Sequence, residues 1–173
     1  MRRSSKGLAV LLTAGGSIFP LTGFSQEAII IARHSDPPPV LRIDEIRDDT
    51  PLSESGRQRA MMLAGRLKDS GISAIYVSEA LRTAQTAEPL AQLLGLQSQV
   101  HLGDDVEGLV KRLHSDNQGK RVLVVGHWST IPAILKALGH PQDVAIERSA
   151  YDNLFIVVPQ GEQAPPTVVR LHY

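Results

Sequence analysis

The chain has 173 residues, of which 42% are hydrophobic and 21% charged, a balance typical of one globular domain. Cysteine is absent, which excludes a disulfide, a thiolate nucleophile and a cysteine-ligated metal. The 18 basic and 18 acidic residues cancel, and no basic stripe alternates with aromatic residues. Nucleic acid is therefore not an expected partner.

The first 25 residues have the composition of a secretory signal peptide. A basic start is followed by an apolar run at residues 7–18 and by small residues before a cleavage position, Gly23 and Ser25. The alternative is a retained membrane anchor, but the run is shorter than the roughly 20 residues that span a bilayer. We predict a cleaved signal at residues 1–25 and one domain at residues 26–173, exported to the periplasm or the medium without stable membrane insertion.

A strand opens the predicted domain. The sequence AIII from Ala28 is short, apolar and β-branched, which is typical of a buried strand, and the run ends at Arg33 and His34. Prolines at residues 37–39 then prevent both helix formation and strand pairing. Residues 36–51 show no sustained periodicity and predict a long loop, which in a compact domain usually serves function.

Helices and strands alternate along the rest of the chain. Amphipathic patterns predict a helix capped by Ser53 that runs to about residue 70, and further helices at residues 81–94, 106–113 and 129–138. Short aliphatic runs predict strands at residues 72–77, 97–102, 121–126, 153–158 and 167–171. This alternation predicts an α/β fold, a three-layer α/β/α sandwich around a largely parallel central sheet.

Polar side chains follow three of these strands where each strand ends. Arg33 and His34 follow the first, the sequence SEALRTAQT follows the second at residues 78–86, and GHWST lies at residues 126–130. If the strands are parallel neighbours, their carboxyl ends meet, and His34, Arg82 and His127 converge at one edge of the sheet. Two imidazoles and two guanidinium groups beside helix N-termini suit a phosphate dianion.

The nucleophile for such a site has to be inferred from what the chain contains. The sequence has no Walker loop, no Gly-x-Ser-x-Gly turn and no His-Glu-x-x-His helix. A neutral histidine can act as a nucleophile through a covalent phosphohistidine, which divides one displacement into two steps. We therefore expect neither a metal nor a cofactor.

The order of these motifs resembles that of the histidine phosphatase superfamily, also called phosphoglycerate mutase-like, from Ala28 to the last strands. The family carries Arg-His-Gly after its first strand, where this chain has Arg33-His34-Ser35. Its Leu-Thr-x-x-Gly pattern is followed at residues 52–56 with Ser for Thr, and its Ser-x-x-x-Arg-Thr-x-x-Thr pattern is complete at residues 78–86. Its Gly-His motif, often followed by Thr-Ile-Pro-Ala, corresponds to residues 126–133.

The resemblance implies a phosphoglycerate mutase-like fold and a role for each motif residue. His34 would attack phosphorus and become phosphohistidine. Arg33, Arg82 and His127 would bind the non-bridging oxygens and stabilise charge in the transition state.

Two further positions depart from the family pattern, beside the predicted nucleophile and beside His127. Ser35 replaces the usual Gly, and its hydroxyl either donates to phosphate or fills space that the backbone normally needs. Trp128 replaces a small polar residue, and it either walls the pocket, stacks on a substrate ring or fills a crevice beside the sheet. Tyr151 precedes the strand at residues 153–158, at the same edge, and is a minor candidate for the pocket.

The general acid that protonates the leaving group has several candidates. Larger family members place an acid after the third strand, where this chain has Asp104, Asp105 and Glu107. Asp104 and Asp105 are also placed to cap the helix that follows, and Asp36 is a further candidate because it lies close to the nucleophile. Family members that dephosphorylate phosphohistidine manage without this acid, because their leaving group is already good.

The expected function is that of a metal-independent phosphomonoesterase of the histidine acid phosphatase type, acting on a phosphorylated small molecule. One alternative is a phosphohistidine phosphatase, and another is a non-catalytic binder of phosphorylated envelope ligands. The short chain has none of the insertions with which larger mutases and phytases enclose their substrates, which disfavours a mutase. The sequence predicts no particular oligomeric state.

Overall fold

The computed structural model describes residues 27–39, 47–161 and 164–173, so the predicted signal peptide lies outside the described residues. Within these ranges the chain forms six strands: β1 (Ala28–Arg33), β2 (Ile72–Ser78), β3 (Ser98–His101), β4 (Arg121–Gly126), β5 (Asn153–Val158) and β6 (Thr167–His172). The same ranges contain four helices: α1 (Glu54–Leu67), α2 (Leu81–Leu94), α3 (Val106–Asp116) and α4 (Ile131–Ala137).

The strands pair in the order β3-β2-β4-β1-β5-β6. The first four strands of this order run parallel to one another, whereas β5 and β6 are antiparallel to their neighbours. The sheet is therefore largely parallel, with two antiparallel strands at one edge. With helices on both faces, it forms the predicted three-layer α/β/α sandwich, and this prediction is confirmed.

The two faces of the sheet are built from alternate positions of each strand, because successive strand side chains point to opposite sides. In β1, Ile30 and Ala32 pack in the cluster that includes α1 and α2, while Ile29 and Ile31 pack in the cluster that includes α3 and α4. Both faces of β1 are covered, which explains its continuous apolar run. The carboxyl ends of β1 and its neighbour β4 therefore meet in the middle of one sheet edge.

Most predicted boundaries agree closely with the structure, and α2, β4 and β5 match their predicted ranges in full. The predicted end of α1 was three residues too late, because α1 ends at Leu67. Ser70 donates both its backbone N–H and its hydroxyl to the carbonyl oxygen of Leu67, which closes the last turn. Gly71 follows with a φ of 74°, which is the left-handed conformation that favours glycine.

Three strands differ from their predicted ranges by one residue at one or both ends, and two larger differences concern α3 and α4. α3 continues to Asp116 and is followed by Asn117, whose side chain donates to the Tyr76 hydroxyl and to the Arg112 carbonyl oxygen. α4 begins at Ile131 rather than at residue 129, because the carbonyl oxygen of His127 accepts from the backbone N–H groups of residues 130 and 131 in a preceding turn. In the part of the chain that is described, none of the helices combines the length and apolarity that crossing a bilayer requires.

Candidate active site

The three polar stretches predicted to converge do meet at the carboxyl edge of the sheet. The end of β1, the segments that follow β1 to β4, the start of α2 and the loop before β5 surround a cavity of about 310 Å³. Its lining combines buried basic groups, two aromatic rings, small polar residues and three carboxylates: Arg33, His34, Asp48, Glu79, Arg82, Gly103, Asp104, His127, Trp128, Ser129, Thr130 and Tyr151.

The register of the central strands brings two histidines together. Arg33 in β1 lies beside Gly126 in β4, so the residues that follow, His34 and His127, leave the sheet side by side. The backbone N–H of His34 donates to the carbonyl oxygen of Gly126 at 2.9 Å, which continues the ladder by one more bond. The two ring centroids lie 5.1 Å apart with an interplanar angle of 61°.

The hydrogen bonds of His34 define its tautomer. Its Nδ1 lies 2.8 Å from the carbonyl oxygen of Ser35, and a carbonyl can only accept, so Nδ1 carries the proton. Nε2 then holds a lone pair, which accepts from Nε of Arg82 at 3.4 Å. Burial lowers the pKa of His34 well below its ordinary value, and the charges of Arg82 and Arg33 add to that effect. The ring is therefore neutral, and its unprotonated Nε2 is a base that accepts from Arg82.

Arg82 links both histidines to the loop before α1. Its Nη2 lies 3.3 Å from Nδ1 of His127, and its Nη1 donates to the carbonyl oxygen of Arg47 at 2.8 Å. Nδ1 of His127 therefore accepts, and Nε2 of the same ring donates to the hydroxyl of Ser78 at 2.8 Å. Burial, followed by the charge of Arg82, lowers the pKa of His127 to about 4.

The other motif residues of the SEALRTAQT stretch stabilise the turn that carries Arg82. The Thr83 hydroxyl lies 2.6 Å from the carbonyl oxygen of Ala80 and 3.1 Å from the Ser78 hydroxyl. The Thr86 hydroxyl accepts from the backbone N–H of Ser35 at 2.9 Å and donates to the carbonyl oxygen of Arg82 at 2.7 Å. Thr83 and Thr86 thus fix Arg82 relative to the segment that carries His34.

Most N–H groups of Arg33 donate to backbone carbonyl oxygens of the protein itself. Its Nη1 donates to the carbonyl oxygens of Glu147 and Ala150, both at 2.8 Å, and its Nη2 donates to that of Arg148 at 2.7 Å. The guanidinium carbon lies 3.9 Å from the centroid of the Tyr151 ring. Only Nε is left without a hydrogen-bond partner among the described residues. Arg33 therefore anchors the loop before β5 and brings buried positive charge to the cavity.

The two departures from the family pattern lie in different surroundings. Ser35 is completely buried, at 0% exposure, and it is not among the residues that line the cavity. Trp128 lines the cavity, and the guanidinium of Arg148 lies 4.6 Å from its ring centroid. Trp128 thus forms part of the cavity wall, whereas Ser35 lies outside the lining, and the role of its hydroxyl toward a substrate stays a prediction.

The candidate acids separate by position. Asp105 accepts from the backbone N–H of Gly108 at 2.9 Å and caps α3, and Glu107 is exposed in the first turn of α3. Asp36 forms an ion pair with Arg59 at 2.6 Å. Asp104 is the one candidate of the four that lines the cavity.

Sequence reasoning missed two carboxylates of the lining and gave Tyr151 little weight. Glu79 follows Ser78 directly at the end of β2, so its place beside a motif residue was the available signal. Asp48 lies on the long loop, and its carbonyl oxygen accepts from the backbone N–H of Leu81 at 2.7 Å. Within the described ranges, no three His, Asp or Glu side chains gather closely enough to hold a metal ion.

Comparison with known proteins relates the part of the chain that carries His34 and Arg82 to one family. The profile of the histidine phosphatase superfamily (branch 1) matches residues 29–103. Among curated relatives, the probable phosphoglycerate mutase GpmB of Escherichia coli O1:K1 / APEC is 45% identical over 49 residues, which are 28% of this chain and 23% of the relative. The match thus spans about a quarter of the relative's length.

Solved structures share the fold over most of the chain. The protein histidine phosphatase SixA, in complex with tungstate, has a TM-score of 0.64 at 22% identity and covers 84% of this chain and 96% of SixA. A mycobacterial glucosyl-3-phosphoglycerate phosphatase, in complex with VO3, has a TM-score of 0.60 at 16% identity. The match covers 85% of this chain and 98% of that phosphatase. The predicted family resemblance and the phosphoglycerate mutase-like fold are confirmed.

Proposed function

We propose that this chain, a member of the histidine phosphatase superfamily, is a metal-independent phosphatase that hydrolyses phosphate monoesters through a phosphohistidine on Nε2 of His34. The observation that carries the proposal is the facing pair of His34 and His127, whose ring centroids lie 5.1 Å apart with Arg82 hydrogen-bonded to both. All three side chains line the cavity, so a phosphate group in it would lie next to a neutral base and a fixed cation.

The reaction takes two steps at this centre. First, the lone pair of His34 Nε2 attacks phosphorus, the bond from phosphorus to the leaving oxygen breaks, and that oxygen takes a proton from the carboxylic acid of Asp104. Second, water attacks the phosphohistidine, the P–N bond breaks, and the carboxylate of Asp104 takes the proton of the water. The sum is ester plus water to alcohol plus phosphate, with the side chains returned to their starting states.

Electrostatic stabilisation comes from the buried basic groups. Arg82 lines the cavity and is hydrogen-bonded to both rings, so its guanidinium charge lies next to the space in which non-bridging oxygens would lie. Arg33 adds a second buried guanidinium, at 1% exposure, with Nε as its unengaged donor. His127 closes the opposite wall and keeps Arg82 in place through Nδ1.

Asp104 supports ester hydrolysis over the alternatives. Its side chain lines the cavity and has no hydrogen bond or ion pair within the described residues, so it is available to exchange a proton. An alkoxide leaving group needs such a donor, whereas the imidazole of a phosphohistidine does not. The finer assignment to the histidine acid phosphatase type rests on this acid.

A phosphohistidine phosphatase is the second candidate. The shared fold with SixA, over 96% of that protein, favours it. The two candidates differ in their need for an acid. Asp104→Asn is expected to lower kcat/KM for an alkyl phosphate strongly and kcat/KM for a phosphohistidine peptide little, and the wild-type protein shows which of the two it prefers.

The proposal is tested with purified protein and p-nitrophenyl phosphate in EDTA. We expect hydrolysis that His34→Ala abolishes, while Glu88→Gln, an exposed change on α2 outside the cavity, keeps it. Turnover that survives His34→Ala would refute the nucleophile. Phosphate binding with no turnover of any ester or phosphohistidine would favour a non-catalytic binder.

We also propose that the protein acts outside the cytoplasm. This proposal rests only on the composition of residues 1–25, which is that of a secretory signal peptide. The test is the N-terminal sequence of the protein recovered from its native compartment. A start at Gln26 in an extracytoplasmic fraction would support export, and an intact N-terminus in the cytoplasm would contradict it.

A further inference from the structure

We propose that Glu79 is a positioning residue that holds the loop bearing Asp104 against the active site. This inference rests on the proposed function, because it assigns Glu79 a role in the protonation of the leaving group. The family motif Ser-x-x-x-Arg leaves this position unspecified, because Glu79 is the first of the three residues between Ser78 and Arg82.

One hydrogen bond joins two active-site loops. Oε2 of Glu79 accepts from the backbone N–H of Gly103 at 2.8 Å, across 24 positions of the chain. Glu79 directly follows Ser78, whose hydroxyl binds the ring of His127. The loop after β3 is thereby tied to the same strand end that orients the phosphate-binding histidine. Because Asp104 follows Gly103, this bond acts one residue away from the proposed acid.

The rest of the loop is fixed on its other side. The carbonyl oxygen of Leu102 accepts from the ring of His101 at 2.8 Å and from the backbone N–H of Asp105 at 3.1 Å. Asp105 also caps α3 through Gly108. Asp104 is left between these fixed points as the residue whose side chain has no structural bond within the described ranges. The loop is therefore hydrogen-bonded on both sides of one unengaged carboxyl group.

Glu79 is assigned to positioning because the bond it makes is a structural one. Its Oε2 accepts from the backbone N–H of Gly103, and a carboxylate oxygen is a strong acceptor for such a bond. Loss of this acceptor would release the N–H of Gly103 and, with it, the residue that precedes Asp104.

The test compares Glu79→Ala and Glu79→Gln on two substrates, p-nitrophenyl phosphate and glycerol 2-phosphate. The measured quantity is the ratio of kcat/KM for the alkyl ester to kcat/KM for the nitrophenyl ester, because kcat/KM reports on the step in which the leaving group departs. Nitrophenolate leaves with little need of a proton, so a displaced acid lowers this ratio. We expect Glu79→Ala to lower the ratio about tenfold. Displacement of a catalytic group by about 1 Å can lower the rate by up to about a hundredfold. Glu79→Gln keeps an oxygen acceptor for Gly103 and is expected to restore most of the ratio.

Two further variants separate positioning from general damage. Glu107→Ala removes another exposed carboxylate near the same loop, one that does not line the cavity, and is the matched control. In an Asp104→Asn background, Glu79→Ala is expected to lower the ratio no further, because the acid it positions is already gone.

Several results would overturn the inference while leaving the proposed function intact. These are an equal loss on both substrates in Glu79→Ala, additive losses in the double variant, or a Glu79→Gln ratio as low as that of Glu79→Ala. Failure of the proposed function has a different signature, which is p-nitrophenyl phosphate hydrolysis that does not depend on His34.

Discussion

The Nε–H group of Arg82 donates to Nε2 of His34 across 3.4 Å, so the arginine contacts the nitrogen that acts as nucleophile in the proposed reaction. The same guanidinium reaches His127 through Nη2 and the loop before α1 through Nη1. A planar fork is needed to serve three directions at once, and a lysine ammonium has no such fork.

Arg82→Lys is therefore expected to lower kcat/KM for p-nitrophenyl phosphate by about a hundredfold or more, the usual effect of losing a preorganised donor. Arg57→Lys is the matched control, because Arg57 is exposed and pairs with Glu54 on the surface of α1. A comparable loss in both variants, or none in Arg82→Lys, would contradict the role of Arg82.

The pH dependence of activity follows from the neutral histidines. Burial lowers the pKa of His34 and brings that of His127 to about 4, so neither ring gains a proton near pH 6.5, the ordinary range of imidazole. With p-nitrophenyl phosphate, and after correction for ionisation of the substrate, kcat/KM is expected to hold as the pH falls until it approaches the pKa of His127. An acid limb centred near 6.5 would show that a histidine of the site titrates normally.

The same shifts make stability depend on pH in a defined direction. Between pH 6.5 and about 4 the unfolded chain protonates residue 127 while the folded protein does not, so the free energy of unfolding decreases as pH falls. For His127 alone the loss by pH 4 amounts to at most about 3 kcal/mol. Denaturant unfolding at several pH values should show a shallower decline in His127→Gln than in wild type. Parallel curves for the two proteins would contradict the lowered pKa.

Two glycines of α1 are expected to respond oppositely to alanine. A Cβ at Gly56 would collide with the carbonyl oxygen of Asp36, whereas a Cβ at Gly65 meets nothing within 4 Å. That Asp36 oxygen also accepts from the N–H and the hydroxyl of Ser53, so the start of α1 is docked on the segment after the nucleophile. Gly56→Ala should destabilise the protein by about 1–3 kcal/mol and reduce activity.

Gly65→Ala should instead stabilise the protein by about 0.5–1 kcal/mol, because alanine is the better helix former at an unhindered site. Thermal or denaturant unfolding of the two variants checks both signs. Equal effects from the two substitutions would mean that helix propensity, and not the close approach of Asp36, governs position 56.

The fold was predictable because its strands and helices have strong and different periodicities. α2, β4 and β5 were placed in full, since each is a periodic or continuous apolar run ended by Gly or a polar turn. The start of α4 was not predicted correctly. Residues 127–130 form a hydrogen-bonded turn, and their sequence pattern is the same as that of a helix start. Local periodicity does not distinguish a turn from the first turn of a helix.

The site was predictable only for residues whose own side chains carry the chemistry, such as histidine and arginine at the ends of strands. His34, Arg82 and His127 follow strand ends, and parallel pairing brings strand ends together. The anchoring of Arg33 on residues 147–150 was not predictable, because its partners are backbone carbonyls that every residue carries. Glu79 was missed for the same reason, as its partner is the amide of Gly103.

The central claim is tested most directly by trapping the intermediate. Acid-sensitive phosphorylation of the protein is measured by mass spectrometry after rapid quenching during turnover of p-nitrophenyl phosphate. The account predicts one phosphoryl group, on the peptide that contains His34, and none in His34→Ala. A phosphoryl group on another residue, or full turnover by the His34→Ala protein, would contradict it.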